Sequence, residues 1–201
     1  MAAVRPTVVF DLGGVLVRVD FMRACRRLEA AGDAPAAAIL DAIARGEAKT
    51  GFDTGRMNSR EFAARFCAEI GLRLPYAEFA DIWCDIFAEQ REVTGLLDQI
   101  ATRADLVLLS NTDPLHFDHI RSHYDFLRKF GHLVLSYEVG YAKPARQIFE
   151  RAIGMCTHGT PIIYFDDLPE FVAAARACGL PAEQFVDAAK LRRDLDGFWA
   201  Q

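Results

Sequence analysis

The sequence predicts an α/β protein, a Rossmann-like parallel sheet flanked by helices and interrupted after its first strand by an all-helical insertion. Three observations predict it. Val8-Val9-Phe10 is a short apolar run that ends in Asp11 and the pair Gly13-Gly14. Pro161-Ile162-Ile163-Tyr164-Phe165 is a second such run, ending in Asp166-Asp167. Between residues 105 and 186 short apolar runs alternate with stretches of helical spacing, the pattern of parallel strands joined by crossover helices.

In chain order, the first strand occupies the 4–16 stretch. Residues 18–104 carry no strand alternation. Their apolar positions recur at helical spacing instead, as in Phe21-x-x-Ala24-Cys25-x-x-Leu28, Phe62-x-x-x-Phe66-x-x-x-Ile70 and Phe79-x-x-Ile82-Trp83-x-x-Ile86-Phe87. Asp20 is placed to cap the first of these helices, and Asn58 followed by Glu61 resembles a capping box. Gly71 ends one helix and Pro75 opens the next. Gly46 to Arg56, with three glycines and Asp53, is expected to be a loop, and Lys49 and Arg56 are expected to reach the substrate from it. Residues 91–104 predict one helix returning to the sheet. Strands follow at Leu106–Leu109, His132–Leu135, Pro161–Phe165 and Gln184–Val186, with helices near 114–127, 145–154 and 169–178. The domain reading is a core of 1–17 plus 91–201 and a helical cap of 18–90. No repeat or low-complexity segment interrupts it.

Composition narrows the function. The 201 residues are 52% hydrophobic and 25% charged, which excludes a disordered or fibrous chain. A net charge of -5 without a Lys or Arg run argues against nucleic acid and against anionic membrane surfaces, leaving a small molecule as the expected partner. The five cysteines, Cys25, Cys67, Cys84, Cys156 and Cys178, show no C-x-x-C spacing and suit reduced thiols. Met1 to Pro6 runs straight into a strand, and no apolar run approaches the ~18 residues of a membrane span, so a cytoplasmic location is expected. Nothing in the sequence sets an oligomeric state.

Ligands of open parallel sheets bind beyond the carboxyl ends of the strands, where Asp11, Ser110-Asn111 and Asp166-Asp167 all fall. Three carboxylates at strand ends are costly to neutralise, and a hard divalent cation such as Mg2+, which prefers oxygen ligands, does so well. Phe10-Asp11-Leu12-Gly13-Gly14-Val15-Leu16, Leu109-Ser110-Asn111-Thr112, Lys143-Pro144 and Phe165-Asp166-Asp167 stand in the order and near the spacing of the four motifs of the haloacid dehalogenase-like (HAD) superfamily. The resemblance spans essentially the whole chain. It is nearest to bacterial members with a helical cap between the first two motifs, the branch similar to α-D-glucose-1-phosphate phosphatase.

That resemblance implies an Mg2+-dependent phosphatase acting on a small phosphorylated metabolite, a sugar phosphate above all, through an aspartyl-phosphate on Asp11. Catalysis falls to Asp11, Ser110 and Lys143, and phosphate binding to Ser110, the backbone N–H of Asn111 and Lys143. The metal falls to Asp11, the Gly13 carbonyl and Asp167 directly, with Asp166 in the outer shell. The chain departs from the family at Gly13, where most phosphatases of the family carry a second Asp that protonates the leaving oxygen. Asp20, Asp113 and Glu138 are candidate substitutes. It departs again at Phe171, where an amide is usual, while Glu170 keeps an acid for a metal-bound water or for Lys143.

Two other functions compete. A 2-haloacid dehalogenase uses the same nucleophile, also without the second Asp, but needs no metal and lacks an acidic pair in the last motif. A non-catalytic HAD-like binding protein would fit Gly13 and Phe171. His116, His119 and His123 lack an H-E-x-x-H arrangement and suggest solvated or capping residues. Phe79, Trp83 and Phe87 suggest cap core, and Cys25, Cys67 and Cys84 packed apolar groups.

Overall fold

The computed structural model describes residues 5–32 and 34–200; the leading residues 1–4, expected to run directly into the first strand, lie outside them. Five parallel strands form the main sheet in the order β5-β4-β1-β6-β7. They are β1 (Thr7–Phe10), β4 (Asp105–Ser110), β5 (His132–Leu135), β6 (Ile162–Asp166) and β7 (Ala182–Gln184). The central strand β1 is buried on both faces, as a continuous Val-Val-Phe run requires of a parallel sheet covered by helices. Val8 and Phe10 join the apolar layer on one face, with Leu97, Phe117 and Leu195, while Val9 joins the other, with Phe149, Tyr164 and Val172.

Register decides where the acids end up. Phe10 pairs with Leu108 on one side and Phe165 on the other, so Asp11 and Asp166 leave their strands at the same level with Ser110 beside them. The Asp11 N–H donates to the Phe165 carbonyl at 2.9 Å and holds the two strand ends together.

A small antiparallel ribbon, β2 (Val17–Val19) with β3 (Phe87–Glu89), closes the entry to and exit from the intervening helices. The sequence reading had no strand within 18–104; three residues per strand are too few to print an alternation. The helices between are α1 (Phe21–Ala30), α2 (Ala36–Arg45), α3 (Glu47–Asp53), α4 (Ser59–Glu69) and α5 (Tyr76–Cys84). They enclose their own core, in which Phe52 stacks on Phe62 at 4.2 Å and Trp83 stacks on Phe79 at 5.6 Å. Asp20 accepts from Arg23 N–H at the start of α1, and Asn58 accepts from the N–H groups of Arg60 and Glu61 at the start of α4. Glu61 pairs with Arg65 instead of reaching back to complete the box.

The expected loop at 46–56 is instead mostly the helix α3. Its glycines mislead: Ala48, Gly51 and Phe52 are buried on one face, and Gly51 is packed so closely against Met57 that a Cβ would come within 2.6 Å of its methyl. Tertiary packing of that face overrides low intrinsic propensity.

The returning segment is two short helices, α6 (Arg91–Thr94) and α7 (Leu97–Arg103), separated at Gly95, where one continuous helix was expected. After β4 comes α8 (Pro114–His123), and the predicted stretch to 127 continues only as a 3-10 turn over Asp125–Lys129. Then follow α9 (Ser136–Val139), α10 (Arg146–Ile153), α11 (Pro169–Ala177) and α12 (Ala188–Trp199). The last strand lies two residues before its expected place, because Ala182–Gln184 pairs with Tyr164–Asp166 and Phe185 turns its side chain into the core. No helix among the described residues is long and apolar enough to cross a membrane.

Candidate active site

Asp11 is the centre of the site. It follows β1 directly and is 7% exposed. Its Oδ1 accepts from Leu12 N–H at 2.7 Å and lies 2.9 Å from Lys143 Nζ, so the other carboxylate oxygen, Oδ2, is the one left for chemistry. Burial pushes the Asp11 carboxyl up to about 7, Lys143 opposing the rise and Asp166 adding to it.

Lys143 is buried, and its ammonium bridges the ends of β1 and β6. It donates to Asp166 Oδ2 at 2.7 Å and to the Tyr164 hydroxyl at 3.0 Å, besides its contact with Asp11. Burial alone would lower its pKa, but Asp11 and Asp166 raise it above the ordinary lysine value. Asn111 fixes the backbone that carries it: Asn111 Nδ2 donates to the Lys143 carbonyl at 2.9 Å, and Lys143 N–H donates to Asn111 Oδ1 at 2.7 Å. The Asn111 side chain thus positions Lys143, a role the sequence reading did not give it.

The acidic pair divides its work. Asp166 is fully buried and accepts from Lys143, from the Tyr164 hydroxyl and, through Oδ1, from Leu168 N–H at 2.9 Å. Asp167 is half-buried and faces the cleft; its pKa is raised by burial and by Asp166. Gly14, with φ at +77°, lets the backbone pass so close that a Cβ there would sit 2.3 Å from the Asp167 carboxylate.

Asp11, Asp166 and Asp167 each offer a carboxylate oxygen, and these lie within 4.8 Å of one another. The bond from Gly14 N–H to the Val17 carbonyl and that from Val17 N–H to the Leu12 carbonyl step over Gly13, leaving its carbonyl without a backbone partner among the described residues. An all-oxygen donor set with more negative charge than one ammonium can balance fits a magnesium ion.

A cleft of about 360 Å3 opens over this floor, between the sheet and the inserted helices. Asp11, Ser110, Lys143 and Asp167 line it below, and Phe21, Lys49 and Phe87 line it from the other side. Phe87 packs against the core of the inserted helices, as expected, and is also a wall of the cleft, whereas Phe79 and Trp83 are wholly buried in that core. Arg56 is exposed, bonds to Thr54 and does not line the cleft. Phe171 places its ring 5.0 Å from Lys143 Nζ, so an aromatic face stands where an amide was expected. Glu170 is exposed, and the contacts of Lys143 are with Asp11, Asp166 and Tyr164 instead.

None of the three proposed substitutes for the missing acid presents a free carboxyl to the cleft. Asp20 is an exposed cap of α1 and Glu138 is exposed on α9. Asp113 is buried and fully engaged: it accepts from His116 N–H at 2.9 Å, from His116 Nδ1 at 2.8 Å and from Trp83 Nε1 at 3.3 Å. Burial raises its pKa, but the two His116 interactions outweigh that and hold it below the usual value. His116, expected to be solvated or a cap, is buried in this cluster, its Nε2 bonded to the Trp83 carbonyl at 2.9 Å and its ring stacked on Trp83 at 5.0 Å. Both ring nitrogens thus face oxygen atoms, Nδ1 that of Asp113 and Nε2 that of Trp83. His119, half-buried, and His123, exposed, stack at 4.1 Å.

Tyr164 was missed because a tyrosine inside an apolar strand reads as core. The alternation of Ile163, Tyr164 and Phe165 puts its ring in the layer with Val9, and only the length of the side chain brings its hydroxyl to Lys143 and Asp166.

The chain is similar to several known proteins. A family model of haloacid dehalogenase-like hydrolases matches residues 6–179. D-ribitol-5-phosphate phosphatase of Bacteroides thetaiotaomicron is 27% identical, over 94% of this chain and 95% of the relative. A HAD family enzyme of the same organism, solved as a magnesium complex, superposes with a TM-score of 0.78 at 20% identity, covering 90% of this chain and 93% of the other. A predicted HAD-like family hydrolase from Porphyromonas gingivalis gives 0.76 at 26% identity, covering 90% and 91%.

Proposed function

The chain belongs to the haloacid dehalogenase-like hydrolases, and from that premise we propose that it is a magnesium-dependent phosphatase of small sugar or sugar-alcohol phosphates, with Asp11 as nucleophile. The observation that carries the reading is the convergence of Asp11, Asp166 and Asp167 within 4.8 Å, with the Lys143 ammonium between two of them. A dehalogenase mechanism gives such an acid cluster no cation to hold. The relative named for ribitol 5-phosphate supports the substrate class, and a neighbouring HAD family enzyme solved with magnesium and inorganic phosphate supports the cofactor.

In this reading residues 18–90 are a cap over a core formed by 1–17 and 91–201. Asp11 Oδ2 attacks phosphorus in line, forming an oxygen–phosphorus bond as the bond to the leaving oxygen breaks. The leaving oxygen departs with the electron pair and takes its proton from water, since residue 13 carries no acid. Ser110 and the Asn111 N–H hold the phosphoryl oxygens, and Lys143 balances the charge that Asp11 and phosphate bring together. Water then cleaves the aspartyl-phosphate, releasing inorganic phosphate and restoring Asp11. Magnesium, held by Asp11, the Gly13 carbonyl and Asp167, with Asp166 one shell out, would supply the remaining neutralisation of the phosphoryl group.

The test is phosphate release across a panel of sugar, sugar-alcohol and nucleotide phosphates, with Mg2+ and with chelator. Turnover is expected with Mg2+ only, and Asp11→Asn should lower it by at least about 10³-fold while leaving the circular dichroism spectrum in place. Turnover at the wild-type rate in Asp11→Asn would rule the mechanism out.

A further inference from the structure

The floor of the cleft accounts for the phosphate, but one charged group faces the cleft from the other side. Lys49, on α3, has only 12% of its side chain exposed and lines the same cleft as Asp11 and Lys143. Its ammonium contacts both oxygens of Asp53, one helical turn on, with Oδ1 at 2.5 Å, and it lies 5.9 Å from the Trp83 ring centroid. An ammonium has three N–H donors. Among the described residues a single carboxylate is its only hydrogen-bonding partner, so an ammonium that lines the cleft keeps donor capacity.

We propose that Lys49, positioned by Asp53, reads the leaving group of the substrate, and that it selects a neutral, hydroxyl-bearing chain over an anionic one. The inference rests on the phosphatase reading above. Its chemistry follows from the pairing. A free lysine over the cleft would favour a second phosphate or a carboxylate, but Asp53 at contact distance cancels the charge and repels an anion brought close to it. What remains is a donor beside an acceptor in a partly desolvated place, and a hydroxyl is both donor and acceptor. The apolar walls agree: Val19, Phe21, Phe87, Ile120 and Phe171 offer carbon surface to the C–H faces of a short polyol chain. Asp53 itself is half-buried, with 21% of its side chain exposed, and desolvation raises its pKa against the pull of Lys49.

Three substrates separate the possibilities: sorbitol 6-phosphate, 6-phosphogluconate, which differs from it only in carrying a carboxylate at the far end, and phenyl phosphate, which has no hydroxyl. The wild-type protein with Mg2+ is expected to favour sorbitol 6-phosphate over 6-phosphogluconate in kcat/KM. Lys49→Met should lower the ratio of kcat/KM for sorbitol 6-phosphate to that for phenyl phosphate by about tenfold, the worth of one charge-assisted hydrogen bond, mainly through KM. Because Lys49→Met leaves Asp53 buried without its partner, the double variant Lys49→Gln with Asp53→Asn, which keeps the shapes and removes both charges, should show the same fall. An unchanged ratio in both variants, or a wild-type preference for 6-phosphogluconate, overturns the assignment of Lys49 while leaving the phosphatase reading intact. No release from phenyl phosphate or any other substrate by the wild type overturns the phosphatase reading, and the assignment with it.

Discussion

Gly13 is the residue at which the chemistry is most exposed to test. Its backbone lies outside the left-handed region, and a Cβ built on it would meet only Val19 Cγ2, at 3.3 Å, so a β-carbon is accepted after a shift of a few tenths of an ångström in one side chain. With no carboxyl to protonate the leaving oxygen, the rate of aspartyl-phosphate formation should fall steeply as the leaving group becomes more basic. Across substituted phenyl phosphates, measured in single turnovers, log k is expected to decline with leaving-group pKa. Gly13→Asp should flatten the slope and speed the hydrolysis of an alkyl phosphate by about 10²-fold, within the usual worth of general acid catalysis. Equal slopes for wild type and variant would show that another group supplies the proton. At this scale the sequence is readable wherever a polar residue ends an apolar strand, as Asp11, Ser110 and Asp166 do. It is unreadable at Tyr164, whose hydroxyl reaches the site from a position that alternation assigns to the core, and at Asn111, whose side chain serves a backbone 32 residues away.

Among the elements, the junction of α5 and α8 ties the inserted helices to the sheet. Trp83 near the end of α5 donates to Asp113, the cap of α8, and its carbonyl accepts from His116 in the first turn of α8. The buried Asp113 carboxylate, 2.8 Å from His116 Nδ1, gives this junction a dependence on pH. The Asp113 pKa is lowered from 3.8, so over the interval below 3.8 the unfolded chain binds the proton that the folded chain refuses, and stability rises with pH there. The contribution is complete above 3.8 and is lost as the pH falls through the lowered value. Asp113→Asn keeps an oxygen to cap α8 and removes the charge, with an amide NH2 replacing the Oδ2 that accepts from Trp83 Nε1; at pH 7 it should cost about 3 kcal/mol in urea unfolding, a cost that shrinks between pH 4 and pH 3. A constant cost over that range would mean the charge contributes nothing. The same elements mark what periodicity can resolve. The amphipathic α1 and α4 were legible because their apolar stripes repeat over two turns or more and their caps are polar. Helix α3 was not, since Gly51 and Gly55 read as a loop and only contact with Met57 and the aromatic cluster makes the segment helical. The β2–β3 ribbon is set by the meeting of two ends of the insertion nearly seventy residues apart, which no local pattern records.

For the whole molecule, folding is what assembles the acid cluster. In the unfolded chain Asp11 lies far along the sequence from the neighbouring Asp166 and Asp167 and does not feel them; the register of β1 between β4 and β6 brings the three together with a single ammonium as counter-charge. Their repulsion is then a standing cost of the native state, and a divalent cation that binds only when all three are assembled removes it. Such a ligand must raise stability by RT ln(1 + [L]/Kd), about 2.7 kcal/mol at one hundred times Kd. For a chain of this length that corresponds to about 5–10 °C in Tm. Millimolar Mg2+ at pH 7.5 is therefore expected to raise Tm by about 5 °C or more over chelated protein, and Asp167→Asn, which removes one charge while leaving the buried Asp166–Lys143–Tyr164 contacts in place, should shrink the shift and raise the Tm of the metal-free protein. Those two changes have opposite signs from a common cause, which separates charge repulsion from a general weakening of the fold. A Tm that Mg2+ does not move, or an Asp167→Asn variant less stable than wild type without metal, would show that the cluster is balanced by Lys143 alone and is not a cation site.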